Sequence, residues 1–359
     1  MLIEGAGALA QDLGPAGGRP GVGDGRAGHV KADVLGLDPE WYGQHPLHGS
    51  ERAWSESNCA ADLWIELLHA LGHDPVAGLG FTLAGDFDGE QWRMFTFPAE
   101  DLWLLYGIEA DELNVWRPLR DHVVEQLAQG NLVAVDVDAW WLPDTIGITY
   151  RCAHQKTTIL AQMIDTAGRR LGYFHNTGYY ELCGDDFDAL LPADPPAGTL
   201  PPYALGVRLG RLRTPGPAEM ALVRHLARRH LGRRPTDNPV ARMAERAERD
   251  LAWIAREGME TFHRWAFGTL RQCGANAGLA AVLAHLLAPG SRAGVRFGRV
   301  AEGMKSAELA MARTMRGRHV DVAGLLQPLA NEWGRAVEDV VAALAAPAGA
   351  PPPRLVARV

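Results

Sequence analysis

Residues 59–72 read CAADLWIELLHALG, and the fold is read outward from them. Leu63, Leu67, Leu68 and Leu71 recur at helical spacing, which places them on one face, and Gly72 is the residue type that most readily closes a helix. Cys59 therefore stands at a helix N-terminus. Downstream, 132–140 (LVAVDVDAW) alternates as a strand, while 156–164 (KTTILAQMI) and 171–180 (LGYFHNTGYY) form two more around a turn at 165–170. The stretch 109–129, ended by Gly130, reads as a further helix. A helix followed by antiparallel strands is an α+β arrangement.

The chain has 359 residues, 47 % of them hydrophobic and 22 % charged, which suits two ordinary globular domains and excludes a disordered, collagenous or coiled-coil chain. The net charge of −8 works against binding to nucleic acid or anionic membrane. No apolar run reaches the length of a membrane span, and no basic-then-apolar signal opens the sequence. A cytoplasmic protein is expected. Cys59, Cys152, Cys183 and Cys273 lack CxxC spacing and are expected to be free thiols.

Composition divides the chain into five segments. Residues 1–35, rich in Gly and Ala, are expected to be a disordered leader or an over-extended start. Residues 36–191 carry the mixed helix and strand pattern and most of the aromatic residues. Pro192, Pro195, Pro196, Pro201, Pro202, Pro215 and Pro217 mark 192–217 as a connection. Residues 218–346 read as helical, with helices at 238–266, opened by Asn238 and Pro239, and at 269–287, 298–316 and 320–345. The tail 347–359 is expected to fray.

A thiol at a helix N-terminus lies where the dipole and free N–H groups favour thiolate, so Cys59 is a candidate nucleophile, with a small core thiol as the alternative. The same N–H groups, with the Asn58 amide, would receive an oxyanion. A base must come from elsewhere. His154 precedes one strand, and His175 and Asn176 lie across the hairpin from it, close enough for a third group to orient the imidazole. Alternation sends His175 and Asn176 to opposite faces, and Asn176 is favoured as the partner of His154.

Weaker candidates surround these. His69 and His73 with Glu66 have metal-ligand spacing, although His73 lies past the Gly72 cap, and no metal or cofactor is expected. Asp136 and Asp138 share a strand face, with Asp138 the better site candidate. Trp140, Trp141 and Tyr150 suit either a cleft or the core. The basic stretch around Arg224, Arg228 and Arg229 suits either an ordinary solvated helix face or a dock for an acidic carrier protein.

The runs HPLHGSERAWSESNCAADLWIELLHALGHDPVAGLGFTL, FDGEQWRMFTFPAEDLWLLYGIEADELNVWRPLRDHVVEQL, VDAWWLPDTIGITYRCAHQKTTI and LGYFHNTGYYEL resemble a bacterial family catalogued as domain of unknown function 1839. The resemblance spans Leu37 through Phe187 and extends more loosely into the helical half. The order of an NC pair at a helix start, a VDxxxLP strand and loop, and a histidine strand with a polar residue on the next is similar to butirosin-type acyltransferases. That similarity implies a papain-like fold moving an acyl or aminoacyl group from a carrier-protein thioester, carried on phosphopantetheine, to an amine. It would make Cys59 the nucleophile, His154 the general base and Asn176 the orienting residue, with His175 as alternate. The glutamine that precedes a papain-type cysteine has no counterpart, since Arg52, Ala53 and Trp54 stand there. A peptidase or amidase using the same residues, and a non-catalytic papain-like scaffold, are the other two readings.

Overall fold

The computed structural model describes residues 29–317 and 320–345. Within what was expected to be a disordered leader, β1 (Lys31–Asp33) pairs antiparallel with the long strand β4 (Lys156–Asp165); residues 1–28 and the expected frayed tail lie outside the described residues. The Cys59 helix forms as α1 (Cys59–Ala70), with Asn58 Oδ1 accepting from Ala61 N at 3.0 Å. A long 3₁₀ stretch (Pro75–Ala84) and α2 (Ala99–Tyr106) come next.

The helix expected over 109–129 is two elements, β2 (Glu109–Glu112) and α3 (Leu119–Ala128). Pro118 is the reason: it has no N–H to donate and forces the residue before it out of helical geometry, so the helix begins after it. Then come β3 (Leu132–Asp138), β4, β5 (Arg170–His175), β6 (Gly178–Cys183), α4 (Asp185–Leu190) and β7 (Ala204–Arg208). β7 runs through the expected proline-rich connection and inserts between β2 and β3. Its partner strands offer ladder groups on both sides, and the prolines stop just short of it.

The sheet is antiparallel, in the order β2-β7-β3-β4-β5-β6, with β1 continuing along β4 past the end of β3. Register assigns the faces. Thr158 lies opposite Asp136, Lys156 opposite Asp138, and Leu160 opposite both Ala134 and Phe174, so these side chains share one face. α1 packs there: Cys59 touches Thr158, and Tyr42 bridges the Phe174 ring to Glu66 of α1. Leu63, Leu67 and Leu68 of α1 are buried, and truncating any one of them to Ala should cost about 2–5 kcal/mol. Thr157, Tyr173 and His175 point to the opposite face, under the loop bearing Asp144.

The C-terminal region is helical: α5 (Met220–Leu231), α6 (Pro239–Glu257), α7 (Met259–Ala266), a π-helical turn (Phe267–Arg271), α8 (Gln272–Leu287), α9 (Ala293–Ala312) and α10 (Val322–Ala345). The helix expected over 238–266 divides at Gly258, whose φ of 95° only glycine adopts readily. Asn238 caps α6 by accepting from Val240 N and Ala241 N. α8, α9 and α10 pack on one another, and a single apolar core runs from Leu63 of α1 to Leu344 of α10. Buried polar ties cross between the halves: Asp101 of α2 accepts from Arg229 and meets His230 at 2.6 Å, and Asn276 of α8 joins Trp92 and the Thr82 carbonyl. The architecture is therefore α+β with an antiparallel sheet and a helical C-terminal region.

Candidate active site

Cys59 occupies the first helical position of α1, half-buried, with Sγ 3.8 Å from Thr158 Oγ1. The Asn58 carbonyl accepts from Ala61 N and Asp62 N, so the first two amides of the helix, those of Cys59 and Ala60, have no acceptor among the described residues. Unpaired N–H groups at this end of a helix are what a thiolate or an oxyanion requires. The Asn58 amide is not available for that role. Its Oδ1 holds Ala61 N, and its Nδ2 donates to Phe95 O at 3.1 Å and Gln272 Oε1 at 3.3 Å. As a helix cap it is spent on the backbone, and the oxyanion donors left are the backbone amides.

His154 lies just before β4. Its Nδ1 is 2.6 Å from Asp138 Oδ2, and its ring stacks on Trp140 with centroids 4.5 Å apart and planes 10° from parallel. Asp138 is fixed in turn, since its Oδ1 accepts from Trp140 N and Gln155 N. Burial pushes the Asp138 carboxyl up, but the hydrogen bonds from His154 and these two amides outweigh it and hold the group below the usual carboxylate range. With Nδ1 turned to a carboxylate, Nε2 is the nitrogen left to accept a proton. The side chain is 71 % exposed and no hydrogen bond joins it to Cys59. The two are linked along one sheet face: Thr158 Oγ1 donates to Asp136 Oδ1 at 2.7 Å, and Asp138 lies two residues later, about 7 Å along the strand.

Asn176 does not take part in this pair. The stretch 171–180, expected as one strand, folds into a hairpin with His175 opposite Gly178, and Asn176 is in the two-residue turn with φ of 46°. Asparagine tolerates that left-handed conformation better than most residues, which accounts for its presence. The orienting group is Asp138, which the sequence marks only as a supporting candidate. His175 also lies apart, buried on the far face, with Nδ1 2.6 Å from Asp144 Oδ2 and Nε2 2.8 Å from Thr157 Oγ1. Hydroxyl, imidazole and carboxylate are aligned there, but all three are buried, and Tyr173 closes the set by donating to Asp144 at 2.5 Å.

Asp138→Asn provides a direct check of the His154 pairing. The amide keeps a polar group beside Nδ1 but removes the negative charge that the ring faces. The His154 ring should then lose the contact that fixes it on Trp140, and the 15N shifts of its two ring nitrogens should show the loss of the Nδ1 bond to the carboxylate.

Beneath Cys59, α1 carries a buried polar network. Asp62 accepts from Ser57 N at 2.8 Å and from Ser57 Oγ, Glu66 accepts from Tyr42 Oη at 2.6 Å and His45 N at 3.0 Å, and His48 sits between the two carboxylates. Burial lowers the pKa of His48, but the hydrogen bonds and charges of Asp62 and Glu66 more than reverse this and raise it from 6.5 to about 9. A group whose pKa rises on folding stabilises the fold fully below its unfolded value and ceases to do so as pH passes its folded value. His48 stabilisation is therefore present below pH 6.5 and lost through about pH 9. Urea midpoints measured from pH 6 to 10 should fall more in the wild type than in His48→Gln.

A cleft of about 910 Å³ opens beside His154 and Asp138, lined by these two with Asp136, Trp116, Trp141 and Leu200. That volume suits a small-molecule or peptide ligand. Trp116 and Leu200, 72 % and 86 % exposed, give it apolar walls without a covering layer. Of the remaining sequence candidates, Glu66 is committed to Tyr42 and His48, His69 Nε2 faces Gly43 O at 3.1 Å, and the His73 ring meets Tyr106 edge-on, so they do not converge. Tyr150 donates to Asp186. The arginines read as either a solvated helix face or a dock are engaged within the fold. Arg224 donates to Leu287 O and Ala343 O, Arg228 to Leu344 O, and Arg229 to Asp101 and Glu100, so they close the ends of α8 and α10 and join α5 to α2.

Among the described residues no helix is long and apolar enough to cross a membrane. No curated protein matches the chain. The DUF1839 N-terminal domain matches residues 43–209, which hold Cys59, His154 and the whole cleft, and the DUF1839 C-terminal domain matches residues 217–342. Between them the two matches take in both halves of the fold just described, and the chain belongs to the DUF1839 family.

Proposed function

We propose that the protein is a papain-like cysteine acyltransferase that takes an acyl or aminoacyl group from a thioester onto Cys59 and passes it to an amine. The observation that carries this reading is a thiol at a helix start with unpaired amides, and, further along the same sheet face, a carboxylate-held histidine that lines an open cleft. In the first step His154 Nε2 takes the thiol proton and Cys59 Sγ bonds to the acyl carbon. The Cys59 and Ala60 amides receive the oxyanion. Collapse breaks the carbon–sulfur bond of the donor, whose thiol leaves with the proton from His154.

In the second step His154 takes a proton from the amine, which attacks the Cys59 thioester and releases the thiol. Exchange between thioesters is nearly isoenergetic, so a thioester donor suits a thiol nucleophile, and amide formation draws the second step forward. A donor carried as a thioester on a phosphopantetheine arm fits this chemistry. The cleft walls of Trp116, Trp141 and Leu200 offer an apolar surface on which an amine-bearing acceptor could rest. A hydrolase would run the same first step with water in the second.

The test is intact-protein mass after incubation with a simple acyl thioester, then with added amines. An adduct that Cys59→Ser lacks, and that amines discharge faster than water does, supports the transferase. Discharge by water alone makes the protein a hydrolase. No adduct in the wild type returns the protein to a non-catalytic scaffold.

A further inference from the structure

We propose that Gln272 of the helical domain is a positioning residue for Cys59, so that the C-terminal half forms part of the nucleophile site. The proposal rests on the reading of Cys59 as nucleophile. Its basis is how the segment before Cys59 is held. Arg52 donates to Gly278 O at 3.0 Å, Trp54 Nε1 to Ala301 O at 2.8 Å, and Lys305 to Ala53 O at 2.7 Å, while Arg271 meets Glu56 at 3.3 Å. Every one of these partners lies in the π turn, α8 or α9. The fit is close as well: a Cβ on Gly274 would lie 2.4 Å from Trp54 Nε1.

Gln272 makes the last two contacts of this series. Its Nε2 donates to Ser57 O at 3.2 Å and its Oε1 accepts from Asn58 Nδ2 at 3.3 Å, and the side chain is fully buried. Asn58 in turn places Oδ1 on Ala61 N, which leaves the Cys59 and Ala60 amides as the unpaired ones. Ser57 is gripped from the other side by Asp62. The Ser57–Asn58 pair is thus clamped between its own helix and the other domain.

The π turn Phe267–Arg271 sets the direction of Gln272. One extra residue in a helix rotates every later residue by about 100°. The wider turn also leaves Gly268 O available to accept from Trp92 N, at 2.8 Å. Turns of this kind interrupt a helix at a cost in backbone hydrogen bonds, and here the residue immediately after the interruption is the one that meets the Cys59 cap.

The experiment uses the full chain with Cys152→Ser and Cys183→Ser, because those two thiols are exposed. Iodoacetamide labelling of Cys59 is followed from pH 5 to 10 in this background, with Gln272→Ala, Gln272→Glu and Gly274→Ala added singly. Hydrogen exchange of the Ala61 amide is measured on the same samples. Wild-type Cys59 is expected to label faster at pH 7 than the thiol of a model peptide. Gln272→Ala is expected to slow that labelling up to about tenfold and to speed Ala61 exchange. Gln272→Glu keeps the acceptor for Asn58 but loses the donor for Ser57 O and adds negative charge, so it should slow labelling further. Gly274→Ala, which displaces Trp54 without touching the amide, should act in the same direction. A folded Gln272→Ala protein with the wild-type labelling profile and wild-type Ala61 exchange overturns the proposal. A wild-type Cys59 that labels no faster than a model-peptide thiol overturns the nucleophile reading instead, and Ala61 exchange in Gln272→Ala then decides the positioning role by itself.

Discussion

Cys59→Ser is expected to abolish the covalent acyl adduct and to lower acyl transfer by about 10⁶-fold, the loss seen when the nucleophile of a covalent mechanism is removed. Serine keeps the size and the helix position, so the fold and cleft should be unaffected. What changes is the group itself: a hydroxyl is far harder to deprotonate than a thiol at neutral pH, and the unpaired Cys59 and Ala60 amides cannot make up that difference. His154→Ala should leave the adduct detectable but form it about 10²–10⁴-fold more slowly. Added imidazole should restore part of that rate, because the ring is largely exposed and its removal opens a site beside Asp138. Rates from quenched-flow mass spectrometry separate the cases. Equal adduct formation in wild type and Cys59→Ser would sink the mechanism.

The second large effect concerns stability. Glu66→Ala should destabilise the protein by about 3–5 kcal/mol, the cost of breaking a buried ion pair from one side. The carboxylate is fully buried and meets His48, Tyr42 Oη and His45 N together. Without it, His48 keeps Asp62 at 3.4 Å as its remaining acidic neighbour, and the Tyr42 hydroxyl and His45 amide lose an acceptor. Glu66→Gln retains an acceptor for those two and should cost less. In His48→Leu/Glu66→Leu the ionic pair is replaced by apolar groups, and stability should recover toward wild type. Urea unfolding at pH 7 measures all three. If Glu66→Ala changes the midpoint no more than a surface substitution does, the network contributes nothing to the fold.

Local sequence makes α1 readable in full. The leucine spacing of 63, 67, 68 and 71 and the Gly72 stop are short-range signals, and they place Cys59 at the helix start without any tertiary information, while the capping role of Asn58 emerges in the structure. β3 and β4 are legible for the same reason, through alternation. Where sequence and structure part, either a second local signal competes with the first or a distant partner decides. Pro118 is such a competing signal, and it breaks the helix expected at 109–129. Asn176, then Thr177 and Gly178, is a turn signature that alternation on both sides obscures. β7 cannot be read from 192–217, because a short strand between prolines forms only when β2 and β3 present their edges to it.

The sequence by itself determined the cysteine at a helix N-terminus, the histidine leading into a strand, and the division into a mixed half and a helical half. Only the tertiary structure decided which carboxylate holds His154. The choice among Asp138, Asn176 and His175 depends on sheet register and on a two-residue turn, and a shift of one residue sends a side chain to the other face. It also decided what surrounds Cys59. Gln272 lies 213 positions further along the sequence, and the arginines of α5 that look free in sequence are engaged by helix ends and by Asp101. Helix and strand signals reside in neighbouring residues, whereas the partners of a buried polar group are set by packing across the whole chain.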